Sequence, residues 1–426
     1  MRFLYTILIH LLLPLALLYL WFRSLKQPEY RRGFSQRLGL SGPEVSGDVI
    51  WVHGASVGEV TAAVPMIRRL LSAYPDKTIL VTTVTPTGAQ RVRDNFGDQV
   101  EQCYLPLDAG FAVRGFLKRY RPELAIIMET EIWPTLYYEL DQQSIPVVIA
   151  SGRLSQKSVD GYGRFKSLIS HAMRGNVRVA AQTQEDRERF IGLGLDAGKA
   201  VVTGNIKFDF DPPEGMGETG AEFRERHLCQ QRPVWVAAST HEGEEEQVLK
   251  AHAALLQKVP DALLLLVPRH PERFDDVANL IRKAEFSSVR RSSNQICDPR
   301  SEVFLGDVMG EMMTFYAASD VAFVGGSLVD IGGHNLLEPA SLGKPILTGS
   351  SNHNSQDVAD MLIAAGALQT VDGPAELAVR LEELFNRPSS CDEMGSAALT
   401  AINNSRGALD RLMELITPLI RPKAES

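Results

Sequence analysis

The chain is poor in the residues that build metal centres and disulfide frameworks. Its four cysteines, Cys103, Cys229, Cys297 and Cys391, lie far apart and form no CxxC pair. That suits a reducing compartment and offers no thiolate metal site. His53, His241, His270, His334 and His353 show no HExxH spacing, so no metal and no other cofactor is expected. Basic excess is also missing. A net charge of -8, with no strongly basic domain and no interleaving of aromatic and basic residues, argues against a nucleic-acid binder. No internal repeat or low-complexity tract occurs. With 44% hydrophobic and 23% charged residues, the 426-residue chain reads as ordinary globular domains, long enough for two or three cores.

Charge is absent altogether from Phe3 to Phe22. At about 1.5 Å per residue this run covers roughly 30 Å, the thickness of a bilayer's hydrocarbon. It is too long for a cleaved signal peptide, and no small-residue cleavage site follows. Arg23, Lys26, Arg31, Arg32 and Arg37 follow instead, which by the positive-inside rule keeps the body in the cytoplasm. Residues 1–24 are therefore expected to be a single-pass membrane anchor, with a helix lying in the interface as the alternative.

Beyond it, apolar strands alternate with amphipathic helices. The expected strands are 49–53, 78–83, 124–128, 146–150 and 177–181, then 234–238, 263–267, 303–305, 321–324 and 345–347. Such alternation predicts an α/β protein of parallel βαβ units. A Gly-, Pro- and Glu-rich stretch from Asp209 to Gly220 interrupts it. The expected organisation is thus an α/β domain over 25–208, a linker over 209–232 and a second α/β domain over 233–426. Both are read as doubly wound, Rossmann-like domains facing a cleft, and in such sheets ligands sit outside the carboxyl ends of the strands.

The notable motifs fall at those ends. Val321 to Gly349 reads as a strand, two glycine pairs, a short helix opened by Asn335 and a further strand. This layout lets backbone N–H groups approach a ligand closely, with Glu338 placed to meet a sugar hydroxyl. Asn335 and Glu338 equally suit an N-cap and its N3 partner. His53-Gly54-Ala55-Ser56-Val57-Gly58-Glu59 likewise offers either a ligand site or a capping box, although Gly58 in the first turn is a poor helix former. Thr82 to Gly88 is rich in hydroxyls. Met128-Glu129-Thr130-Glu131-Ile132-Trp133 sets two carboxylates after an apolar strand, which is costly without partners or purpose. Ser151-Gly152-Arg153 brings a cation near them, and Lys207 closes the first domain. In the second domain Ser239 to Glu245 starts a helix with acidic residues, Pro268-Arg269-His270-Pro271 carries a guanidinium suited to phosphate, and Asp307 to Met312 forms a loop able to hold a base.

Together with the apolar N-terminus, the segments HGASVGE, TVTPTG, METEIWP, GRLS, GNIKFD, STHEGEE, PRHPERF, GDVMGEM, AFVGGSLVDIGGHNLLEP and GKPILTG closely resemble the Kdo transferases of lipid A biosynthesis. The resemblance runs from about Tyr30 to Arg421. It implies a GT-B glycosyltransferase at the inner membrane that moves 3-deoxy-D-manno-octulosonic acid (Kdo) from CMP-Kdo to a lipid A precursor, lipid IVA, with inversion and without a catalytic metal. Carried onto matching positions, it makes Glu59 the general base; should Glu59 prove only a cap, His53 is the competing base. Glu129 and Lys207 become transition-state supports. Pro268, Arg269, Met309, Gly310, Glu311, Asn335, Leu336, Leu337 and Glu338 become the CMP-binding set, and Ser56, Thr85 and Arg153 candidate acceptor contacts. Two positions depart from the pattern, with Ser151 where asparagine is expected and Ser355 where an aromatic residue is.

Overall fold

The computed structural model describes residues 2–31, 33–163, 165–227 and 232–421. Arg32 of the basic flank, Cys229 and part of the expected linker lie outside them. The chain divides into one unit of residues 1–209 with 405–426 and a second of residues 210–404.

The first unit is built on β1 (Val49–His53), β2 (Thr78–Thr83), β3 (Glu101–Tyr104), β4 (Leu124–Met128), β5 (Val147–Gly152), β6 (Val177–Ala181) and β7 (Ala200–Val202). They form one sheet in the order β3-β2-β1-β4-β5-β6-β7, and neighbours pair in parallel. The central strands are apolar throughout because both faces are covered. Successive residues point to opposite faces. Trp51, Leu80, Ile127 and Ile149 enter one core, while Ile50, Val52, Ile126 and Val148 enter the other with Val60, Met66 and Ile67 of the helix Val57–Ala73. The indole of fully buried Trp51 satisfies its N–H on Thr82 Oγ1 at 2.8 Å.

The second unit repeats the plan with β8 (Val234–Thr240), β9 (Leu263–Pro268), β10 (Ser288–Arg290), β11 (Val303–Leu305), β12 (Val321–Val324), β13 (Ile346–Thr348) and β14 (Leu368–Thr370), ordered β10-β11-β9-β8-β12-β13-β14. These pairs are parallel too. Trp235 on central β8 is buried and donates to His252 Nδ1 at 3.2 Å. The doubly wound α/β plan is as expected. The strands absent from the sequence reading are β3, β7, β10 and β14, the four sheet edges.

Three expectations need correction. The stretch 209–232 contains the helix Met216–His227, whose Phe223 packs edge-on against Phe304 and Phe315 at 5.8 and 5.6 Å. That helix belongs to the second unit rather than to a linker. The chain's end belongs to the first unit, because Ala408, Leu412 and Ile416 of the helix Ala408–Ile416 share a core with Val60 and Ile67. Asp209 Oδ1 accepts from Gly407 N–H at 2.6 Å and fixes where that helix begins. Arg37, counted in the cationic flank, is 2% exposed. Its guanidinium donates to the Val84 carbonyl at 2.6 Å and lies 4.3 Å from the Tyr104 ring centre, so it is a core group.

The N-terminal helix, Arg2–Lys26, contains Pro14. Among the described residues it is the one helix long and apolar enough to cross a membrane.

Candidate functional site

In the first unit the expected residues gather beyond the carboxyl ends of β1, β2, β4 and β5. Ser56 caps the helix Val57–Ala73, its Oγ accepting from Glu59 N–H at 3.3 Å. The Glu59 carboxylate reaches back to accept from Ala55 N–H at 2.8 Å and from the Ser56 hydroxyl at 3.1 Å. The capping role is therefore real, with the return bond going to Ala55, one residue before the N-cap. It does not exhaust Glu59, however. Burial, with Glu129 and Glu131 adding negative charge nearby, pushes its carboxyl up from 4.5 to about 7, against the pull of the Ala55 hydrogen bond. That is where a group must sit to take a proton near neutrality.

Glu129 directly follows β4 with φ +55°, a left-handed conformation rare for a residue with a side chain. Its N–H is held by the Ala150 carbonyl at 2.9 Å. Glu131 accepts from the Trp133 indole at 2.8 Å, and burial, then Glu129, raises its carboxyl above the ordinary range. The Thr130 hydroxyl donates to the Arg153 carbonyl, which ties this loop to the end of β5 and brings exposed Arg153 beside it. Lys207 lies in the 3-10 turn Ile206–Phe208, capped by Asn205, whose side chain accepts from Lys207 N–H at 3.1 Å. Ser151 anchors that turn, its Oγ accepting from Ile206 N–H at 3.2 Å. Thr85 caps the helix Pro86–Phe96 by accepting from Gly88 N–H at 3.1 Å.

His53 does not fit the role of competing base. It is fully buried, its Nδ1 engages Thr82 Oγ1 at 2.9 Å, and burial lowers it to about 4. It is a neutral core histidine.

In the second unit Pro268 ends β9 and Arg269 is exposed, its N–H held by the Thr240 carbonyl at 3.0 Å. Met309 is 61% exposed, and Gly310 adopts φ +88° in the loop after β11. Glu311 takes a two-pronged ion pair from Arg291, at 2.8 and 2.9 Å. The short helix is Leu337–Ser341, with Asn335 before it. Asn335 accepts from Leu337 N–H at 3.1 Å and donates to Glu338 Oε1 at 3.1 Å. Leu336 and Leu337 are buried, and the Leu337 N–H is the one that Asn335 holds.

The glycine pairs have a different cause from the one expected. Glu244, fully buried, accepts from the N–H groups of Gly326, Ser327 and Leu328 at 2.7, 3.0 and 3.0 Å, and from His241 N–H at 3.2 Å. These N–H groups are therefore not waiting for a phosphate. A Cβ on Gly325 would lie 2.7 Å from Glu244 Oε2, and one on Gly332 would lie 2.4 Å from His353 Nε2. Glycine is favoured at 325 by the protein's own buried carboxylate and at 332 by a φ of +101°.

Sequence reasoning missed Glu244 as an internal clamp, and also a histidine group beside Arg269. His241 Nε2 and His334 Nε2 lie 2.7 Å apart with the rings stacked at 5.0 Å, so one nitrogen donates and the other accepts. The His270 ring is edge-on to His241 at 5.2 Å. Burial, then its histidine and arginine neighbours, lowers His334 to about 4. No spacing pattern signals this group, because its members come from three strand ends.

Comparison with known proteins bears on the family and the fold. The family model for 3-deoxy-D-manno-octulosonic-acid transferase (kdotransferase) matches residues 32–210. The 3-deoxy-D-manno-octulosonic acid transferase of Haemophilus influenzae is 42% identical over 424 residues, 98% of this chain and 99% of that one. Its namesake from Bordetella pertussis is 35% identical over 430 residues, 97% and 98% of the two chains. Among solved structures, the UDP-GlcNAc 2-epimerase of Neisseria meningitidis matches with a TM-score of 0.55 at 16% identity, covering 87% of this chain and 100% of that one. That match speaks to the two-sheet fold alone. The near-complete coverage by the two transferases shows that the chain belongs to the 3-deoxy-D-manno-octulosonic acid transferase family of glycosyltransferases.

Proposed function

We propose that the protein transfers Kdo from CMP-Kdo to the hydroxyl of a lipid A precursor, with inversion, in lipopolysaccharide biosynthesis. The observation that carries the mechanism is Glu59, a capped but proton-hungry carboxyl beyond β1, beside Glu129 and Glu131. In this reading ionised Glu59 takes the proton of the acceptor hydroxyl as its oxygen bonds to the anomeric carbon of Kdo. The bond from that carbon to the CMP phosphate breaks, and CMP leaves with the electron pair. Glu129 and Lys207 support the transition state. Arg269, Met309, Gly310 and Glu311, with the backbone from Asn335 to Glu338, bind CMP, and the exposed Arg269 guanidinium meets the phosphate. Ser56, Thr85 and Arg153 stand at the strand ends as acceptor contacts.

A lipid acceptor places the work at a membrane. The protein acts at the inner membrane from the cytoplasmic side, associated through its apolar N-terminal helix. The test is release of CMP from CMP-Kdo by the purified full chain, with and without lipid IVA and in the presence or absence of EDTA. Acceptor-dependent release that survives EDTA is expected. Release from a UDP-sugar instead, or nucleotide binding without turnover, would overturn the reading.

A further inference from the structure

The N-terminal helix is apolar along its length but unequally covered. Tyr5, Ile9, Leu13, Leu17 and Leu20 are half-buried and Ser24 is buried. Steps of four and three place these residues on a single stripe, whose first turns touch the first unit and whose last turn packs on the adjoining segment Pro28–Arg31. Near the start, Tyr5 donates to Asp108 Oδ2 at 2.7 Å, and the Arg2 guanidinium lies 3.5 Å from the Tyr138 ring centre. Asp108 is a fixed partner, since it also accepts from the N–H groups of Thr135 and Leu136 at 3.0 and 2.8 Å. Near the end, Ser24 accepts from Arg31 at 3.0 Å. The remaining surface stays bare, with Phe3, Leu11, Leu15 and Phe22 at 75, 68, 61 and 56% exposure.

This arrangement differs from that of a helix crossing a bilayer away from the body. A helix of this length is about 37 Å long at about 1.5 Å per residue. If it crossed the bilayer, Arg2 would stand on the opposite side from the body, roughly 30 Å of hydrocarbon away. Arg2 and Tyr5 instead touch the body. Beside Arg2 opens a cavity of about 780 Å³ whose lining includes Lys166, Ser170, His171 and Arg174 and, among the described residues, no acidic one. A bare apolar helix face with a cationic cavity at one end has the two chemistries of a bilayer surface, acyl chains and phosphate headgroups.

We infer that the N-terminal helix is an in-plane anchor, docked on the first unit along its Tyr5 to Ser24 stripe. Its bare face lies in one leaflet of an anionic phospholipid bilayer, and the Arg2, Lys166 and Arg174 cavity receives lipid phosphates of that leaflet. The inference rests on the membrane association proposed above and replaces the single-pass geometry expected from the sequence.

The test uses the full chain with an N-terminal epitope tag in sealed inverted inner-membrane vesicles treated with protease. The tag and the body are expected to be digested together. A tag that survives while the body is digested overturns the in-plane geometry. A protein that leaves the vesicles in a carbonate wash overturns the membrane association itself. In parallel, the purified chain is floated with vesicles of phosphatidylcholine alone or mixed with phosphatidylglycerol. Lys166→Glu and Arg174→Glu should each weaken binding to the mixed vesicles by roughly fivefold or more and leave binding to phosphatidylcholine unchanged. Equal binding of wild type and variants to the mixed vesicles overturns the role of the cavity.

Discussion

Replacing Glu59 with glutamine separates the two roles that the first turn of the helix Val57–Ala73 allows it. As a cap, Glu59 accepts from Ala55 N–H at 2.8 Å and from the Ser56 hydroxyl at 3.1 Å. Glutamine keeps the size and one acceptor oxygen, so the Ala55 bond survives. As a base, Glu59 must bind and release a proton, which glutamine cannot do. The expected loss of transfer is therefore at least about a hundredfold, within the range of about 10² to 10⁴ for general-base removal. Stability should move the other way. The folded protein raises the Glu59 pKa from 4.5 to about 7, so ionising this group in place disfavours the fold. That cost is absent below about pH 4.5, grows between there and about 7, and is complete above. Glu59→Gln should thus melt at the wild-type temperature or higher at pH 8 and show no gain at pH 4. Glu59→Ala, which also loses the cap, should lose about 1 kcal/mol, or roughly 2 to 4 °C. Kdo transfer to lipid IVA, calorimetric CMP-Kdo binding and scanning calorimetry on both variants decide the matter. Near-normal transfer by Glu59→Gln would remove Glu59 from the chemistry and leave it a cap.

Other outcomes follow from neighbouring groups. Transfer measured as kcat/KM should rise with pH to a plateau with a midpoint near the Glu59 value of about 7. Because Glu129 contributes to raising that value, Glu129→Gln should move the midpoint downward, and an unmoved midpoint refutes the coupling. Glu244→Ala strips an acceptor from four N–H groups at the Gly325 to Leu328 loop and His241. At about 1 to 3 kcal/mol for each buried donor left unpaired, the loss in urea denaturation should reach at least about 3 kcal/mol, with weaker CMP binding. A loss under about 1 kcal/mol would deny the clamp. Arg269→Ala removes an exposed guanidinium and should weaken CMP-Kdo use about ten- to a hundredfold, equivalent to roughly 1.5 to 3 kcal/mol, with unchanged melting. Unchanged CMP-Kdo use would refute its phosphate role.

What was legible in the sequence is what burial dictates. β1, β2, β4, β6, β11 and β12 were read with the observed bounds, because strands covered on both faces are uninterrupted apolar runs. The missed strands are edges, and in three of the four the residues show why: Glu101 and Gln102 in β3, Ser288 and Arg290 in β10, Gln369 and Thr370 in β14, whereas β7, Ala200–Val202, is apolar but only three residues long. A short strand with one hydrogen-bonding side free and polar positions looks like a loop to any periodicity argument. The site was half legible for a similar reason. Local devices such as the Ser56 and Glu59 capping pair can be read from spacing, whereas Glu244 meeting residues 82 to 84 positions away, or Ala408 returning to pack on the first unit, depends on tertiary contact. The resemblance to the transferase family identified the class where spacing alone left base and cap undecided.

The two sheets share one further device at their carboxyl ends. Pairing of β5 with β6 shifts register between Ile149 and Gly152, and pairing of β8 with β9 shifts between Ala238 and Thr240. Inside the shifts sit Ser151 at φ +51° and Ser239 at φ +57°. A left-handed conformation costs a residue with a side chain roughly 1 to 2 kcal/mol, so two such residues are not neutral decoration. Each redirects the chain as it leaves the sheet, as bulges near functional sites do. In the first unit the bulge turns Ser151 Oγ toward Ile206 N–H at 3.2 Å, fixing the turn that carries Lys207. In the second, Thr240 follows the bulge, and its carbonyl holds the N–H of Arg269 at 3.0 Å, while the Ser239 carbonyl lies 2.9 Å from where a Gly325 Cβ would be. Glu129, at φ +55° just past β4, continues the pattern. At Glu129, Ser151 and Ser239 strain thus sits where side chains are aimed, next to central strands whose buried, ordinary geometry is stable enough to hold it.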